Sequence, residues 1–242
     1  TQLMQARENG IKVTHCIDSL AGQGVYFNRF YANSFRTDRG LVAILSGYPA
    51  QPTMSIMKYP HKTEHIPSVC SLLKQKGYPS EYYYGGDADF CNMRSYLVSS
   101  GFDSIVSETD FPISTRMSKW GVPDHLLFAR VISNFKHCKT TKPTFTVVQT
   151  SSSHEPFDVP TKRFRNKALN AFAYTDSCLG RFVNELRRLP MWKNTLVMLV
   201  PDHLGAYPET LNYYTLARYR IPLIFVGGAV RRPCRVSVIG SQ

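Results

Sequence analysis

The 242-residue sequence predicts an α/β fold with a mainly parallel central sheet and helices on both faces. Three observations carry that expectation. Short apolar runs of strand character alternate with longer segments of helical periodicity. Strands linked through helices run parallel by right-handed crossovers, which leaves both sheet faces to be covered. The apolar runs also end in polar loops: TFTVVQT (144 to 150) leads into SSSHEPF, and NTLVMLV (194 to 200) into PDHLG. In open α/β sheets, ligands bind outside the carboxyl ends of the strands.

Taken in order, VYFNRFYAN reads as a strand, and the helix expected from Asp38 to Ser46 follows it. A loop rich in Pro and Tyr leads to IPSVCSLLKQKG, a helical pattern closed by Gly77. EYYYGG (81 to 86) is a strand and glycine turn, and DFCNMRSYLVSSG a helix stopped by Gly101. DHLLFARVISNF is an amphipathic helix, TFTVVQT a buried strand, and Asn166 to Leu189 a long helix. NTLVMLV and IPLIFVGG (221 to 228) close the chain as strands. No internal repeat and no dividing linker interrupts this order, so one domain over 1–242 is expected.

The 29 Lys and Arg against 17 Asp and Glu give a net charge of +12, which suits an anionic partner: phosphate groups, an anionic membrane surface or nucleic acid. The basic residues are scattered and no nucleic-acid motif accompanies them, so nucleic acid is not expected as a partner. Six widely spaced cysteines include no C-x-x-C pair, which excludes a zinc ribbon and a dithiol redox motif; most are expected to be buried. No apolar stretch approaches the roughly 20 residues needed to cross a bilayer, and TQLMQARENG is not a signal peptide.

Several side chains stand where chemistry is expected. Asp202 and His203, adjacent at a strand end, offer an oxygen and an imidazole nitrogen to one divalent cation, or form a turn with a hydrogen-bonded histidine. Thr37 stands at the handover from strand to helix, where its hydroxyl either caps the helix or, in the positive potential of the helix start and beside a metal, serves as a nucleophile. His154 follows a buried strand and either suits a phosphate contact or protonation of a leaving group, or is a loop histidine bonded to nearby backbone. Asp87, Asp89, Asn92 and Arg94 gather at a helix start, where Arg94 suits a forked phosphate contact.

CIDSLAGQGVYFNRFYANSFRTDRG, LSGYPAQPTMSIMKYP, YYYGGDADFCNMRSYL, SSSHEPF, VMLVPDHLG and RYRIPLIFVGGAV occur in this order over nearly the whole chain. In these motifs the chain resembles the catalytic domain of the lipoteichoic acid synthase-like phosphoglycerol transferases, in the alkaline phosphatase and sulfatase superfamily, and especially the branch found in Bacteroides-like bacteria. The resemblance implies an alkaline phosphatase/sulfatase-like fold. It implies Thr37 as nucleophile and metal ligand, Asp202 and His203 as further ligands, and His154, Arg94, Asn92 and Asp87 as the headgroup pocket. It also implies one divalent cation, with manganese favoured over magnesium or zinc.

The partners so implied are a phospholipid headgroup donor and a hydroxyl acceptor on a glycan or glycolipid, with a phospho-threonine between the two half-reactions. The full-length protein would be tethered to the cell inner membrane with the catalytic domain outside. One departure stands out: family members carry a glutamate ligand at the end of a first strand, upstream of the segment like CIDSLAGQG. Here only TQLMQARENGIKVTH precedes that segment, and Glu8 has a polar context unlike a strand end. The expectation is a domain truncated before its first strand and at its C-terminus. The competing readings are a sulfatase-type hydrolase, whose C/S-x-P-x-R signature none of the cysteines begins, and an incomplete domain that binds anionic lipid or glycan.

Overall fold

In the computed structural model, residues 4–242 are described except 5, 206, 209 and 213. The chain opens with a hairpin, β1 (Arg7–Glu8) and β2 (Ile11–Lys12), turned by Asn9 and Gly10 at φ 50° and 78°. Positive φ at both turn positions is what an Asn-Gly pair tolerates best. Helix α1 (Cys16–Gln23) follows, then β3 (Val25–Tyr31) and α2 (Thr37–Ser46). No residue next to α1 caps it by its side chain. The Asp176 carboxylate instead accepts from the amides of His15, Cys16 and Ile17 at 2.9, 2.8 and 2.8 Å. Three of the donors that a helix start leaves unpaired are thereby satisfied from a distant part of the chain.

Next come α3 (Pro60–Thr63), α4 (Val69–Gln75), β4 (Ser80–Tyr84), α5 (Met93–Ser99), β5 (Ser104–Val106) and α6 (Asp124–His137). The order closes with β6 (Phe145–Gln149), α7 (Lys167–Arg187), β7 (Val197–Leu199), α8 (Leu216–Tyr219), β8 (Arg220–Val226), β9 (Cys234–Val236) and β10 (Gly240–Ser241). Each strand and helix expected from the sequence is present, with ends shifted by a few residues. The expected helix after Asp89 begins as a 3-10 turn, because Cys91 and Asn92 take left-handed φ of 56° and 60°.

The architecture is α/β, and one of its sheets is parallel throughout. That sheet has the order β5-β4-β6, all parallel, with Tyr82 opposite Val147 and Ile105. A second, mixed sheet runs β10-β3-β8-β7, with β9 also on β3; here β8 is antiparallel to both β3 and β7. Alternation along β4 divides the core. Tyr83 faces a cluster with Leu127, Val131, Phe182 and Ile224, whereas Tyr82 and Tyr84 face Leu41, Val42, Tyr96 and Leu97. Helices α6 and α7 therefore cover one face of this sheet, and α2, α4 and α5 the other. Full burial of each such side chain contributes about 1.5–3 kcal/mol.

β6 ends the first sheet and β7 the second, so each has an unpaired edge among the described residues. Both strands line one cavity of about 2690 Å³, which also opens on Thr37, Asp202 and His203. The expectation of mostly buried cysteines does not hold. Cys70 and Cys178 are buried, Cys16 and Cys91 half-buried, and Cys138 and Cys234 exposed, because the last two lie on a helix end and a short edge strand.

Candidate active site

The site assembles where β7 runs out toward α2. Beyond Leu199 the chain turns through Pro201 and Asp202, and the Asp202 backbone lies directly against Gly40 in the first turns of α2. A Cβ built on Gly40 would fall well inside contact with the Asp202 carbonyl oxygen and 3.0 Å from its carbon. Glycine is required there because helix and loop touch backbone to backbone.

Thr37 is the first residue of α2, and Arg36 takes the cap position without a side-chain capping bond. The threonine hydroxyl is therefore not the helix cap. Its Oγ1 stands 3.2 Å from His203 Nε2. His203 Nδ1 lies 2.9 Å from the Leu204 carbonyl oxygen, which can only accept, so Nδ1 carries a proton. In the neutral imidazole Nε2 then accepts from Thr37 Oγ1–H. Asp202 Oδ2 is 3.4 Å from the same Nε2, while Oδ1 accepts from the His203 amide at 2.9 Å. Two oxygens and one imidazole nitrogen converge, an apt donor set for a divalent cation though short of a full shell. Among the described residues, no group of three or more His, Cys, Asp or Glu is placed to hold a metal.

His154 stands on the wall of the same cavity. Its Nδ1 donates to the Glu155 carbonyl at 3.1 Å, which leaves Nε2 free, and its ring lies 4.0 Å from that of Trp120. The Trp120 indole N–H also donates to the Glu155 carbonyl, so one backbone oxygen holds both rings. Behind them the fully buried Asp124 accepts from the amides of Ser151 and Ser152 at 3.0 and 3.1 Å and fixes this loop.

Arg94, Asn92 and Asp87 do not line the cavity. Arg94 Nε donates to Asp89 at 2.8 Å and its Nη2 to the Ser107 hydroxyl at 3.2 Å. Asp87 accepts from the Asp89 amide, and Asn92 lies exposed on the left-handed kink. Glu8 is engaged elsewhere: its carboxylate accepts from the amides of Arg165 and Asn166 at 2.8 and 3.0 Å.

Two other groups on the cavity wall stay protonated. Burial first, then the charges of Asp202, Asp87 and Glu108, push the Tyr84 phenol up. Burial and Asp38 push the Cys91 thiol up, against the opposing pull of Lys58 and Arg36, which disfavours a thiolate there. Trp120 and Gln242 border the site without having been singled out in the sequence. A lone Trp beside Gly121 in a loop was a usable signal; a glutamine outside any motif was not.

A sulfatase family profile matches residues 1–239. Phosphoglycerol transferase I of Xanthomonas campestris pv. campestris is 27% identical over 170 residues, covering 64% of this chain and 24% of the relative. Lipoteichoic acid synthase of Staphylococcus aureus is 23% identical over 229 residues, covering 85% and 34%. A crystal structure from Vibrio parahaemolyticus, described as a protein in the alkaline phosphatase superfamily, superposes with a TM-score of 0.87 at 29% identity, over 96% of this chain and 58% of that one. The chain thus spans about a quarter to a third of the length of these curated relatives.

Proposed function

The chain belongs to the sulfatase family, and on that footing we propose that it is the phosphoryl-transfer part of a metal-dependent phosphoglycerol or phosphoethanolamine transferase, or of a phosphodiesterase of the same chemistry. The observation that carries this reading is the meeting of Thr37 Oγ1, His203 Nε2 and Asp202 Oδ2 at the carboxyl end of β7. Thr37 is the nucleophile, held at the start of a ten-residue helix whose dipole favours negative charge. Its oxygen attacks a phospholipid phosphodiester; the Oγ1–P bond forms as the P–O bond to diacylglycerol breaks. The proton that Thr37 Oγ1 loses goes to the departing oxygen by way of His154, whose Nε2 lone pair takes it up and passes it on. An acceptor hydroxyl then attacks the phospho-threonine, gives up its proton and restores the Thr37 hydroxyl. The basic surface attracts the phosphate; Arg94, with Asp87 and Asn92, joins the headgroup contacts only if it leaves its Asp89 and Ser107 partners, since none of the three lines the cavity.

Thr37, Asp202 and His203 would hold the cation, manganese by preference. When bound, it supplies Lewis acidity that lowers the hydroxyl pKa and offsets phosphoryl charge. A further acidic ligand on an additional strand belongs to this proposal. Its support is the pair of unpaired edges, β6 and β7, lining one cavity that ends at the ligands. The full-length protein would be membrane-tethered with this domain outside the cytoplasm. Among the described residues, no helix is long and apolar enough to cross a membrane.

A second reading, an incomplete domain that binds anionic lipid or glycan, rests on the sparse ligand set. A sulfatase-type hydrolase has less support, since none of the six cysteines begins a C/S-x-P-x-R signature. Incubation with manganese and phosphatidylglycerol or phosphatidylethanolamine, followed by peptide mass mapping, tests the proposal. An adduct on the Thr37 peptide is expected, absent in Thr37→Ala, and its mass names the headgroup. Absence of both the adduct and saturable manganese binding, also after an upstream strand is supplied, would leave only the binding reading.

A further inference from the structure

We infer that Gln242 is a positioning residue for this site, its side-chain amide tying the loop that leads into Thr37 to the loop that carries Asp202 and His203. The inference rests on the role proposed above for those three residues. Gln242 Oε1 accepts from the Asn33 amide at 3.0 Å, and the Asn33 side chain donates back to the Gln242 carbonyl at 2.6 Å. Gln242 Nε2 donates to the carbonyls of Pro201 and Asp202, both at 2.8 Å. Its own backbone is anchored just past β10, where its amide donates to the Tyr31 carbonyl at 3.1 Å beside the end of β3.

The chemistry of this clamp is restrictive. One acceptor must face an amide while two donors on a neighbouring atom face two carbonyls, a combination that only a primary amide side chain presents. Glutamate offers no donor near neutral pH, lysine no acceptor, and asparagine is one methylene short. The Asp202 carbonyl is held between Gln242 Nε2 and the bare backbone of Gly40, so the ligand loop is fixed against α2 from two directions. The short path from Asn33 to Thr37 is fixed by the same side chain. The 3.2 Å Thr37–His203 contact therefore depends on a residue that touches neither. Outer partners of ligand groups typically carry 10- to 100-fold in metal affinity.

The test uses the chain as it stands, with Gln242→Glu and the uncharged, near-isosteric Gln242→Met, which serves if the glutamate variant does not fold. Amide hydrogen exchange, the His203 ring resonances and manganese titration are compared with wild type. Expected are faster exchange in both 32–40 and 200–205, displaced His203 resonances and a manganese Kd raised about tenfold or more. Wild-type exchange in the two segments overturns the clamp. Faster exchange with unmoved His203 resonances and unchanged manganese Kd reduces Gln242 to a structural tie and overturns the positioning role. If wild type itself binds no manganese, even with an upstream strand supplied, and forms no Thr37 adduct, the phosphoryl-transfer reading fails, and exchange with the His203 resonances still decides the role of Gln242.

Discussion

Gly40→Ala separates the site's geometry from the stability of the fold. The added methyl would fall inside contact with the Asp202 carbonyl oxygen, 3.0 Å from the carbonyl carbon and 3.2 Å from Asp202 Cβ. Ordinary contact requires α2 and the ligand loop to part by about 1 Å. Thr37 lies one turn before Gly40 on the same helix, so the 3.2 Å Thr37–His203 contact stretches to roughly 4 Å, beyond a hydrogen bond. Alanine gains up to about 1 kcal/mol in helix propensity, which offsets part of an overpacking cost of about 1–3 kcal/mol. The net loss is about 0–3 kcal/mol. A misplacement of about 1 Å at reacting atoms, by contrast, costs on the order of 10²-fold in rate. The rate of Thr37 adduct formation and the thermal midpoint, measured on the same preparations, should therefore diverge. Gly22→Ala in α1, where an added Cβ meets nothing within 4 Å, is the control that leaves the rate unchanged. An adduct rate for Gly40→Ala within twofold of wild type would refute the close-approach reasoning.

Three further outcomes are expected. Asp124→Ala strands the amides of Ser151 and Ser152 and the Thr175 hydroxyl, at a cost of about 3 kcal/mol or about 6–12 °C in Tm; an unmoved midpoint contradicts the role assigned to Asp124. Burial, then the Arg181 charge, hold the His125 imidazole below its ordinary value of 6.5. The native state therefore releases this proton more readily than the unfolded chain: stability from this group is full above about pH 6.5 and declines as pH falls through the native value. Urea unfolding of His125→Gln should show a flatter decline than wild type between about pH 7.5 and 5, and equal slopes would rule this out. Finally, iodoacetamide at about pH 8 should label the exposed Cys138 and Cys234 first and Cys16 slowly. Burial beside Asp176 pushes the Cys16 thiol up to about 11, and fast labelling of Cys16 would contradict that.

Elements with their own punctuation were legible in the sequence. The seven residues of β3, the Gly47 stop of α2, the Gly77 stop after α4 and the Asn166 cap of α7 are local signals, and each element forms close to its expected place. Helix α1 was not, because its capping acceptor comes from Asp176, some 160 residues away. Strands β5, β9 and β10 are two or three residues long, too short for an alternating pattern to register. The antiparallel place of β8 between β3 and β7 is set by the path of the chain, which residue patterning does not encode. Within the site, Thr37, Asp202, His203 and His154 were readable as polar residues at strand ends. The Gln242 clamp was not, since its meaning lies in partners 40 and 209 positions away.

The open edges of β6 and β7 bear on how this chain behaves at high concentration. Neither Phe145–Gln149 nor Val197–Leu199 carries a lysine, an arginine or a proline, the usual guards against edge-to-edge association. Beside the β7 edge, Leu196 and Met198 are 58% and 49% exposed. Backbone donors and acceptors there are free to recruit any extended apolar chain, including that of an unfolded neighbour. These edges predict concentration-dependent association of the 242-residue chain, which a short soluble strand peptide that occupies them should suppress.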